Sequence, residues 1–465
     1  MTAVGSAPTR RVAVLGLGMT GDAVVRWARA RGDDVVLVDD RPDAVAGERL
    51  AAARALGVEL RATPTGNELE AFVAGLDLLV PSPGVPERHP MLVAASRADV
   101  PVRGEVDLGA ELLAARERVL VAITGTNGKT TVTELTVAML QASGVSALAA
   151  GNIGAPLLDA ARDDDAPADQ VVVAEVSSFQ LTTTTGAFRP RAAAILNVAD
   201  DHLDWHRTFA AYAAAKARIF AAQGPDDVVV YNADDPVVAA LAADAPGRTR
   251  AFSVIEGAAA GFRVATTVNG RVLVAADGTE LAAVEDLDAT APHDLANALA
   301  AAALALEVGA TPDGVGTALR GFTRGPHRLH EVATIDGIRY VDDSKATNVH
   351  AALAAVRSFP RVVLIAGGRN KGLDLSGLRA ATDHVVAVVA IGDAADEVDD
   401  AFRGVRPVTR AGSMAEAVRA ATDAATAGDV VLLSPACASF DWYRSYGERG
   451  DDFARVVAAL RETAR

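Results

Sequence analysis

Short, uninterrupted apolar runs alternate with alanine- and leucine-rich helical stretches along almost the whole chain. The strand candidates are VAVLGLG, VVLVDD, LLVPSPG, VLVAITG, VVVAEV, AAAILNV, VVVYNA, RVVLIAGG, VVAVVAIGD and VVLLSPA. Strands buried on both faces of a parallel sheet read as continuous apolar runs of this kind. The pattern therefore predicts an α/β protein with open, doubly wound sheets.

The length of 465 residues suggests roughly three domains. Turn-rich breaks place these domains at 1–105, 106–324 and 325–465, and Ala251 to Asp288 reads as a strand-rich insertion in the second. The motifs described below indicate a Rossmann-like first domain, a central P-loop ATPase-like domain with a parallel sheet, and a Rossmann-like third domain.

Composition narrows the class of protein. The net charge of −16 argues against a nucleic-acid binder, which normally shows a basic face. The single cysteine, Cys437, rules out an intramolecular disulfide and suits a reducing cytosol. The N-terminal stretch shows no apolar signal core, and no apolar run reaches the ~18 residues of a membrane span. We expect a cytoplasmic protein without a membrane span.

A glycine loop follows the first strand. In GLGMTG, Gly16, Gly18 and Gly21 fit G-x-G-x-x-G, and Asp39 closes the second strand. A tight turn, a helix N-terminus and a downstream acid suit a dinucleotide. Taken alone, the motif indicates an NAD-dependent dehydrogenase.

A second glycine loop, ITGTNGKTT, lies between a strand and a helix. The full P-loop pattern would place glycine where Ile123 stands, so this is a variant loop. A plain turn explains Gly125 and Gly128 but not the lysine and threonines that follow. We therefore expect a nucleoside triphosphate site, with Lys129 offsetting phosphate charge and Thr130 reaching Mg²⁺.

Metal-ligand candidates follow later strands. Glu175 ends VVVAEV, and Asp200, Asp201, His202 and Asp204 follow AAAILNV. A strand-end glutamate facing a P-loop is a reasonable Mg²⁺ ligand, although a solvated rim carboxylate fits the pattern equally, and His202 could cap a helix. Lys216, on an alanine-rich helix, would ordinarily be a surface lysine.

Polar clusters also follow three strands of the last block: YVDDSKATN, IAGGRNKGLDL and LLSPACASFDWYRSYGERGDDF. Each combines small residues with Lys, Ser, Thr or Asn, which donate hydrogen bonds to carboxylates and phosphates. Three such clusters at strand ends predict that this domain binds a small anionic ligand and part of the ATP.

Together these motifs resemble the Mur ligase family of ATP-dependent amino-acid-adding enzymes. The resemblance spans essentially the whole chain, through GLGMTG, DDR, SPG, GTNGKTT, GNIG, EVSSFQL, DDHLD, YAAAKARIF, NADD, GPHRLH, DDSKATN, GGRNKG and SPACASFDWY with RGDDF. DDSKATN with SPACAS is specific to the D-glutamate-adding branch. The D-N-P-R-type motif of the diaminopimelate- or lysine-adding branch is absent from the sequence.

The resemblance implies a role for each matching position. The UDP of the substrate would contact Gly18, Met19, Thr20, Asp39, Asp40, Arg41, Ser82, Pro83 and Gly84, with Asn152 facing the reacting carboxylate. ATP would contact Gly125, Thr126, Asn127, Gly128, Lys129, Thr130, Thr131, Asn297, Arg328 and Asp343. D-glutamate would contact Lys345, Thr347, Lys371, Ser439, Phe440 and Tyr446, the last two partly through their backbone.

The same resemblance implies Lys129, Glu175, His202 and Lys216 as catalytic residues. Thr130, Glu175, His202 and a carbamylated Lys216 would ligate Mg²⁺. Two positions depart from the family pattern: Asp294 stands where asparagine is usual on the adenine side, which puts its contact in doubt, and Tyr446 replaces phenylalanine.

The implied activity joins D-glutamate to UDP-N-acetylmuramoyl-L-alanine through an acyl phosphate, in a monomer that uses ATP and Mg²⁺ and binds no nucleic acid. The alternatives are a sister ligase that adds another amino acid, a non-catalytic nucleotide-binding protein and an NAD-dependent dehydrogenase.

Overall fold

The computed structural model describes residues 9–463. Its strands are β1 Arg11–Leu15, β2 Asp34–Asp39, β3 Glu59–Ala62, β4 Leu78–Pro81, β5 Leu120–Thr124, β6 Ala147–Gly151, β7 Val171–Glu175, β8 Ala192–Ile195, β9 Val228–Asn232, β10 Arg248–Ser253, β11 Phe262–Thr267, β12 Gly270–Val274, β13 Glu280–Ala283, β14 His330–Ile335, β15 Ile338–Asp342, β16 Val362–Gly367, β17 Val385–Ile391, β18 Val408–Ala411 and β19 Val430–Ala436.

The α-helices connect and flank these strands. They are α1 Met19–Ala30, α2 Glu48–Ala55, α3 Gly66–Ala74, α4 Pro90–Arg97, α5 Glu105–Ala115, α6 Lys129–Ala142, α7 Leu157–Arg162, α8 Ser178–Leu181, α9 Leu203–His206, α10 Phe209–Ala217, α11 Pro236–Ala242, α12 Pro292–Glu307, α13 Pro312–Gly321, α14 Val349–Arg357, α15 Ala395–Phe402, α16 Met414–Ala424 and α17 Tyr446–Thr463. Short 3₁₀ segments are Pro42–Ala44, Arg218–Phe220, Val284–Asp286 and Leu375–His384.

The first sheet has four parallel strands in the order β3-β2-β1-β4. Along β1, Val12 and Val14 enter the core on one face, while Ala13 and Leu15 enter the core on the other. Both faces are therefore covered, which explains why β1 is apolar at every position rather than at alternate ones.

The second sheet has nine strands in the order β13-β12-β11-β10-β9-β8-β5-β7-β6. Its pairs are parallel from β6 to β11, and the hairpins β11-β12 and β12-β13 are antiparallel. The predicted strand-rich insertion is thus an antiparallel extension of a parallel sheet. β5 lies between β8 and β7 inside the sheet, so the loop that follows it lies at the carboxyl edge beside the loops after these two strands.

The third sheet has six strands in the order β14-β15-β19-β16-β17-β18, parallel except for β14. Alternate residues of β16 again enter two cores, Val362 and Leu364 in one and Val363 and Ile365 in the other. The three strands β15, β19 and β16 are neighbours, so the polar clusters that follow them meet at one edge.

These sheets confirm the predicted α/β fold, since every strand candidate from the sequence is a strand. Outside the predicted insertion and the strand implied before DDSKATN, the pattern missed β3, β6, β14 and β18, which lie at sheet edges, and the start of the interior strand β10. Edge strands are less apolar because one side faces solvent, and β6 (ALAAG) is alanine-rich and reads as helix.

Within the described chain, internal contacts define two compact units. One comprises the described part of Met1–Asn197 with Ala213–Leu287 and Ala296–Gly321, and the other comprises Val198–Tyr212, Asp288–Leu295 and the described part of Phe322–Arg465. The four- and nine-stranded sheets belong to the first unit and the six-stranded sheet to the second. The domain boundaries near 105 and 324 stay predictions.

Within residues 9–463, no helix is both long and apolar enough to cross a membrane. The prediction that the N-terminal stretch carries no apolar signal core concerns the first residues of the chain. Residues 1–8 of that stretch lie outside the described residues.

Candidate active site

The phosphate loop lies between β5 and α6. Gly128 has a left-handed φ of +86°, and a β-carbon there would lie 2.4 Å from Oδ1 of Asn297. Only glycine fits this backbone without strain. The close approach brings Asn297, predicted on the adenine side, directly against the loop.

Two lysines converge on this loop. Nζ of Lys129 donates to the carbonyl oxygens of Gly125 (2.9 Å) and Thr126 (3.0 Å), and Nζ of Lys216 donates to Gly125 O at 2.8 Å. The Lys216 residue is 1% exposed, so the interpretation as a surface lysine is wrong: α10 turns this side chain inward. Two lysine side chains thus meet at one carbonyl of the phosphate loop.

Glu175 lies beside the loop at the end of β7 and is 2% exposed, so it is not a solvated rim carboxylate. Its Oε2 accepts a hydrogen bond from Thr130 Oγ1 and its Oε1 accepts one from Asn152 Nδ2, both at 2.7 Å. The resemblance assigned Asn152 to the UDP substrate. In the structure its side chain donates to Glu175, which lies beside the phosphate loop.

The donor set at Glu175 fits Mg²⁺. A carboxylate and a threonine hydroxyl are hard oxygen ligands, and nucleotide-bound Mg²⁺ takes one or two protein carboxylates with phosphate oxygens and water. Among the described residues there is no cluster of three or more His, Cys, Asp or Glu side chains that would hold a metal by itself. The carboxylate of Glu175 and the hydroxyl of Thr130 suit a metal that also binds the phosphates of a nucleotide.

Asn197 also shapes this loop, and the sequence interpretation missed it. Its Oδ1 accepts from the backbone N–H of Asn127 (2.8 Å) and its Nδ2 donates to the carbonyl of Asn127 (3.0 Å). The side-chain amide of Asn197 thus bonds to both the N–H and the carbonyl of one loop residue, as a neighbouring backbone would. Its position near the end of the apolar run AAAILNV was the available signal.

The first sheet gathers a second group of predicted residues. Strands β2, β1 and β4 are neighbours, so the loops after them share one edge, and Ser82 Oγ donates to Gly16 O at 3.0 Å. The predicted UDP contacts on these loops are Gly18, Met19, Thr20, Asp39, Asp40, Arg41, Ser82, Pro83 and Gly84. Exposed backbone N–H groups at the start of α1 suit a pyrophosphate.

Asp40 is held by a residue that sequence reasoning missed. Oδ1 of Asp40 lies 3.0 Å from Nε2 of His89 and accepts from Thr63 Oγ1 at 2.6 Å. His89 is buried, and its Nδ1 accepts from the backbone N–H of Met91, so Nε2 carries the proton. These two hydrogen bonds, that from Thr63 first, lower the pKa of Asp40. Its carboxylate is thus held ionised and oriented.

In the second unit, Arg449 joins two of the polar clusters. It is 1% exposed, and its guanidinium donates to the carbonyls of Ser344 (2.9 Å) and Cys437 (3.1 Å) and to Ser344 Oγ. Burial lowers the pKa of Arg449 to about 10. Sequence reasoning missed this residue because RGDDF reads as the solvated start of a helix.

The predicted amino-acid ligands lie on the segments that follow β15, β16 and β19. Lys345 and Thr347 follow β15, Lys371 follows β16, and Ser439 and Phe440 follow β19. Nζ of Lys345 lies 5.2 Å from the ring centroid of Tyr446, a cation–π distance, and the Tyr446 carbonyl accepts from Ser344 Oγ at 2.7 Å. Phe440 is 64% exposed, which agrees with a backbone contribution.

Lys371 is also paired within the same unit. Its Nζ donates to Oδ1 of Asp201 at 2.8 Å, and Asn348 Nδ2 donates to Oδ2 at 3.2 Å. Burial alone would raise the pKa of Asp201, but the charges of Lys371 and His202 with these hydrogen bonds hold it below its usual value. Asp201 is therefore ionised and holds the side chain of Lys371 through an ion pair.

His202 precedes α9 with a left-handed φ of +53°, a conformation that non-glycine residues rarely adopt. It occupies the N-cap position, but its side chain makes no capping hydrogen bond. The alternative of a side-chain helix cap is therefore wrong.

Asp343 is buried directly after β15. Burial raises its pKa to about 7, against the hydrogen bonds it accepts from Ser434 Oγ (2.8 Å) and the N–H of Leu329 (3.2 Å). Arg328, the other predicted nucleotide contact of this unit, lies in the neighbouring segment between α13 and β14.

Comparison with known proteins agrees with this arrangement. Residues 10–104 match the Mur ligase MurD-like N-terminal domain, residues 123–305 the Mur ligase middle domain, and residues 327–437 the glutamate ligase domain of Mur ligases. The chain belongs to the Mur ligase family.

Curated relatives of this Mur ligase match it over nearly its full length. A UDP-N-acetylmuramoylalanine–D-glutamate ligase of Thermobifida fusca is 44% identical over 97% of this chain and 98% of that protein. The enzyme of the same name from Frankia casuarinae is 46% identical, over 96% of this chain and 94% of its own length.

Solved structures share its fold. UDP-N-acetylmuramate–alanine ligase from Thermotoga maritima aligns with a TM-score of 0.57 at 19% identity, over 97% of this chain and 100% of that one. A pseudomurein peptide ligase type C from Methanothermus fervidus gives a TM-score of 0.61 at 19% identity, with the same coverage.

Proposed function

We propose that this Mur ligase joins D-glutamate to UDP-N-acetylmuramoyl-L-alanine at the expense of ATP, in the synthesis of peptidoglycan precursors. The observation that carries the proposal is the phosphate loop with Lys129, Lys216 and Glu175 around it, in a chain whose full-length relatives are D-glutamate ligases. The clusters DDSKATN and SPACAS, joined by buried Arg449, support D-glutamate as the amino acid.

ATP is the nucleotide of this family, and the phosphate loop is where we place its phosphates. Gly125, Thr126, Asn127, Gly128 and Thr131 are the proposed phosphate contacts of the loop, and Lys129 adds a cation. Thr130 and Glu175 would hold Mg²⁺, a Lewis acid that withdraws charge from the transferring phosphoryl group. Asn297, Arg328 and Asp343 complete the proposed ATP contacts.

The proposed ligation has two steps. The alanyl carboxylate attacks the γ-phosphorus, the bond to the β-phosphate oxygen breaks, and ADP leaves with an acyl phosphate formed. The amine of D-glutamate then attacks the acyl carbon, loses a proton, and expels inorganic phosphate. The protein's main contribution is to position these groups and to neutralise charge.

Lys216 is the proposed site of carbamylation. Its buried Nζ lies at the phosphate loop, where a protonated amine would add to the charge of Lys129 and would repel Mg²⁺. A neutral amine that attacks CO₂ and releases a proton becomes a carbamate, which supplies two hard oxygen ligands. Together with Thr130, Glu175 and His202, this carbamate forms the proposed metal-ligand set.

The first sheet is the proposed UDP site rather than an NAD site. Gly18 and its neighbours would contact the pyrophosphate, and Asp40, held by His89, would accept a hydrogen bond from the uridine. Lys345, Thr347, Lys371, Ser439, Phe440 and Tyr446 are the proposed D-glutamate contacts. A monomer in the cytoplasm completes the proposal.

Phosphate release tests the function directly. With ATP, Mg²⁺ and UDP-N-acetylmuramoyl-L-alanine, D-glutamate should stimulate release at least about tenfold over L-glutamate, L-lysine and meso-diaminopimelate. Stimulation by another amino acid would indicate the sister ligase. ATP binding without any turnover would indicate a non-catalytic protein, and tight NADH binding would indicate the dehydrogenase.

A further inference from the structure

The carboxylate of Asp294 is engaged by an arginine from a distant part of the chain. Asp294 lies in the first turn of α12, and Arg324 lies between α13 and β14. Nη2 of Arg324 donates to Oδ2, and its Nε donates to Oδ1 at 3.3 Å. The side chain of Arg324 is 25% exposed and that of Asp294 is 10% exposed. This is a two-pronged pairing of a planar guanidinium with a carboxylate in a mostly dry environment.

The other neighbours of Asp294 complete its hydrogen bonding. Oδ2 also accepts from the backbone N–H of Ala291 at 3.2 Å, and Nε2 of His293 lies 3.5 Å from Oδ1. Both oxygens are thus engaged by groups of this chain. An asparagine, usual here by resemblance, could donate through its amide, whereas a carboxylate only accepts. Asp294 therefore needs a cation where asparagine would not.

Arg324 also acts on the nucleotide side of the same unit. Burial raises the pKa of Asp343, and the nearby positive charge of Arg324 opposes that rise. Asn297, which approaches Gly128 of the phosphate loop, follows Asp294 by three residues on α12 and so lies on the same helix face. The guanidinium of Arg324 thus opposes the rise in the pKa of Asp343 and pairs with the acid three residues before Asn297. Both Asp343 and Asn297 are assigned to ATP.

We propose that Arg324 is a positioning residue for ATP: it neutralises Asp294, holds the first turn of α12, and through it fixes Asn297. This inference rests on the proposed ATP site. Arg324 and Asp294 form a matched pair in which the arginine compensates for an acid at a position where the family usually has a neutral amide.

A double-mutant cycle tests the pair. Arg324→Ala leaves a mostly buried carboxylate without its cation, so we expect the KM for ATP to rise about tenfold or more while the KM for D-glutamate changes less than about twofold. Asp294→Asn alone should change the KM for ATP less than about threefold. In the double variant the amide needs no cation, so ATP binding should return to within about threefold of Asp294→Asn.

Two further variants separate positioning from general stability. Arg250→Ala removes an ion pair with Glu307 at the other end of α12 and should leave the KM for ATP within about twofold. Arg324→Lys keeps the charge without the two-pronged geometry, so its KM should lie between those of the wild type and Arg324→Ala. If Arg324→Ala does not fold, this variant and the double variant still decide the question.

Calorimetric titration with ADP provides a readout independent of turnover. Loss of ADP affinity in Arg324→Ala with recovery in the double variant would support the inference even if the wild type failed to release phosphate with D-glutamate. Additive losses, equal effects on ATP and D-glutamate, or an equal loss in Arg250→Ala would overturn it.

Discussion

At the scale of single residues, Gly18 and Gly21 belong to the same loop but need glycine for different reasons. A β-carbon at Gly21 would lie 2.2 Å from the carbonyl oxygen of Gly16, whereas one at Gly18 would meet nothing within 4 Å. Gly21 must be glycine because the helix packs closely on the strand. Gly18 leaves open space at a helix N-terminus, as expected where a pyrophosphate approaches the backbone.

We therefore predict different outcomes for two valine variants. Gly18→Val should fold with an unchanged melting temperature and bind ATP normally, but should lose at least about tenfold in affinity for UDP-N-acetylmuramoyl-L-alanine. Gly21→Val should destabilise the protein and serves as the structural control. Calorimetry and thermal melting measure both, and normal binding of the UDP substrate by Gly18→Val would contradict the assignment.

The carbamylation of Lys216 gives a second prediction at this scale. Lys216→Ala should be nearly inactive and should regain part of its activity in millimolar acetate or bicarbonate, because a small carboxylate can occupy the space of the carbamate. Matched concentrations of chloride are the control. Intact-mass measurement of unmodified lysine in fully active enzyme, with CO₂ available, would refute the modification.

At the scale of elements, Glu105 ties α5 to α7. Its Oε1 accepts from the backbone N–H of Leu158 at 2.6 Å, and its Oε2 is buried without a hydrogen-bond partner among the described residues. Burial raises the pKa of Glu105 from 4.5 to about 7. The folded protein therefore keeps a proton that the unfolded chain releases.

Stability should respond to pH through this residue. Between pH 4.5 and 7 the unfolded state loses the proton and the folded state keeps it, so the free energy of unfolding falls by up to roughly 3 kcal/mol. In Glu105→Gln the share of this fall that Glu105 contributes should disappear while that of Asp343 remains, and in Glu111→Gln, at an exposed position of the same helix, the whole fall should remain. Urea unfolding at pH 5, 6, 7 and 8 measures it, and identical pH profiles for all three proteins would contradict it.

At the scale of the molecule, the first two sheets share one compact unit although the sequence predicts a boundary near residue 105. Arg26 on α1 donates to both carboxylate oxygens of Asp159 on α7 at 2.7 Å. Buried Asp107 on α5 accepts from the N–H and Oγ1 of Thr185. These bonds link the four-stranded to the nine-stranded sheet.

We expect the two sheets to unfold in one transition. In a Trp205→Phe/Trp442→Phe variant, Trp27 of the first sheet is the one remaining tryptophan, and its fluorescence should change at the same urea concentration at which ATP binding is lost. Coincident transitions are the mark of cooperative unfolding. A Trp27 transition at clearly lower urea would show that the first sheet unfolds separately.

The sequence alone determined the fold class and the phosphate chemistry, because both depend on local order. Continuous apolar runs specify buried parallel strands, and GTNGKTT specifies a turn, a cation and a hydroxyl at a helix start. The family motifs extended this to the amino acid and the UDP substrate. The sequence did not predict edge strands such as β3 and β18, because their residues are half-exposed and do not form continuous apolar runs.

Only the tertiary structure decided which polar residues are buried together. Lys216 lies on a helix with alanine on most sides, so periodicity could not tell whether it faces solvent or the carbonyl of Gly125. The partners Asp40 with His89 and Asp294 with Arg324 are far apart in the chain, and no local pattern links them. Burial and long-range pairing arise from packing, which decides which charged and polar groups face one another and thus their chemistry.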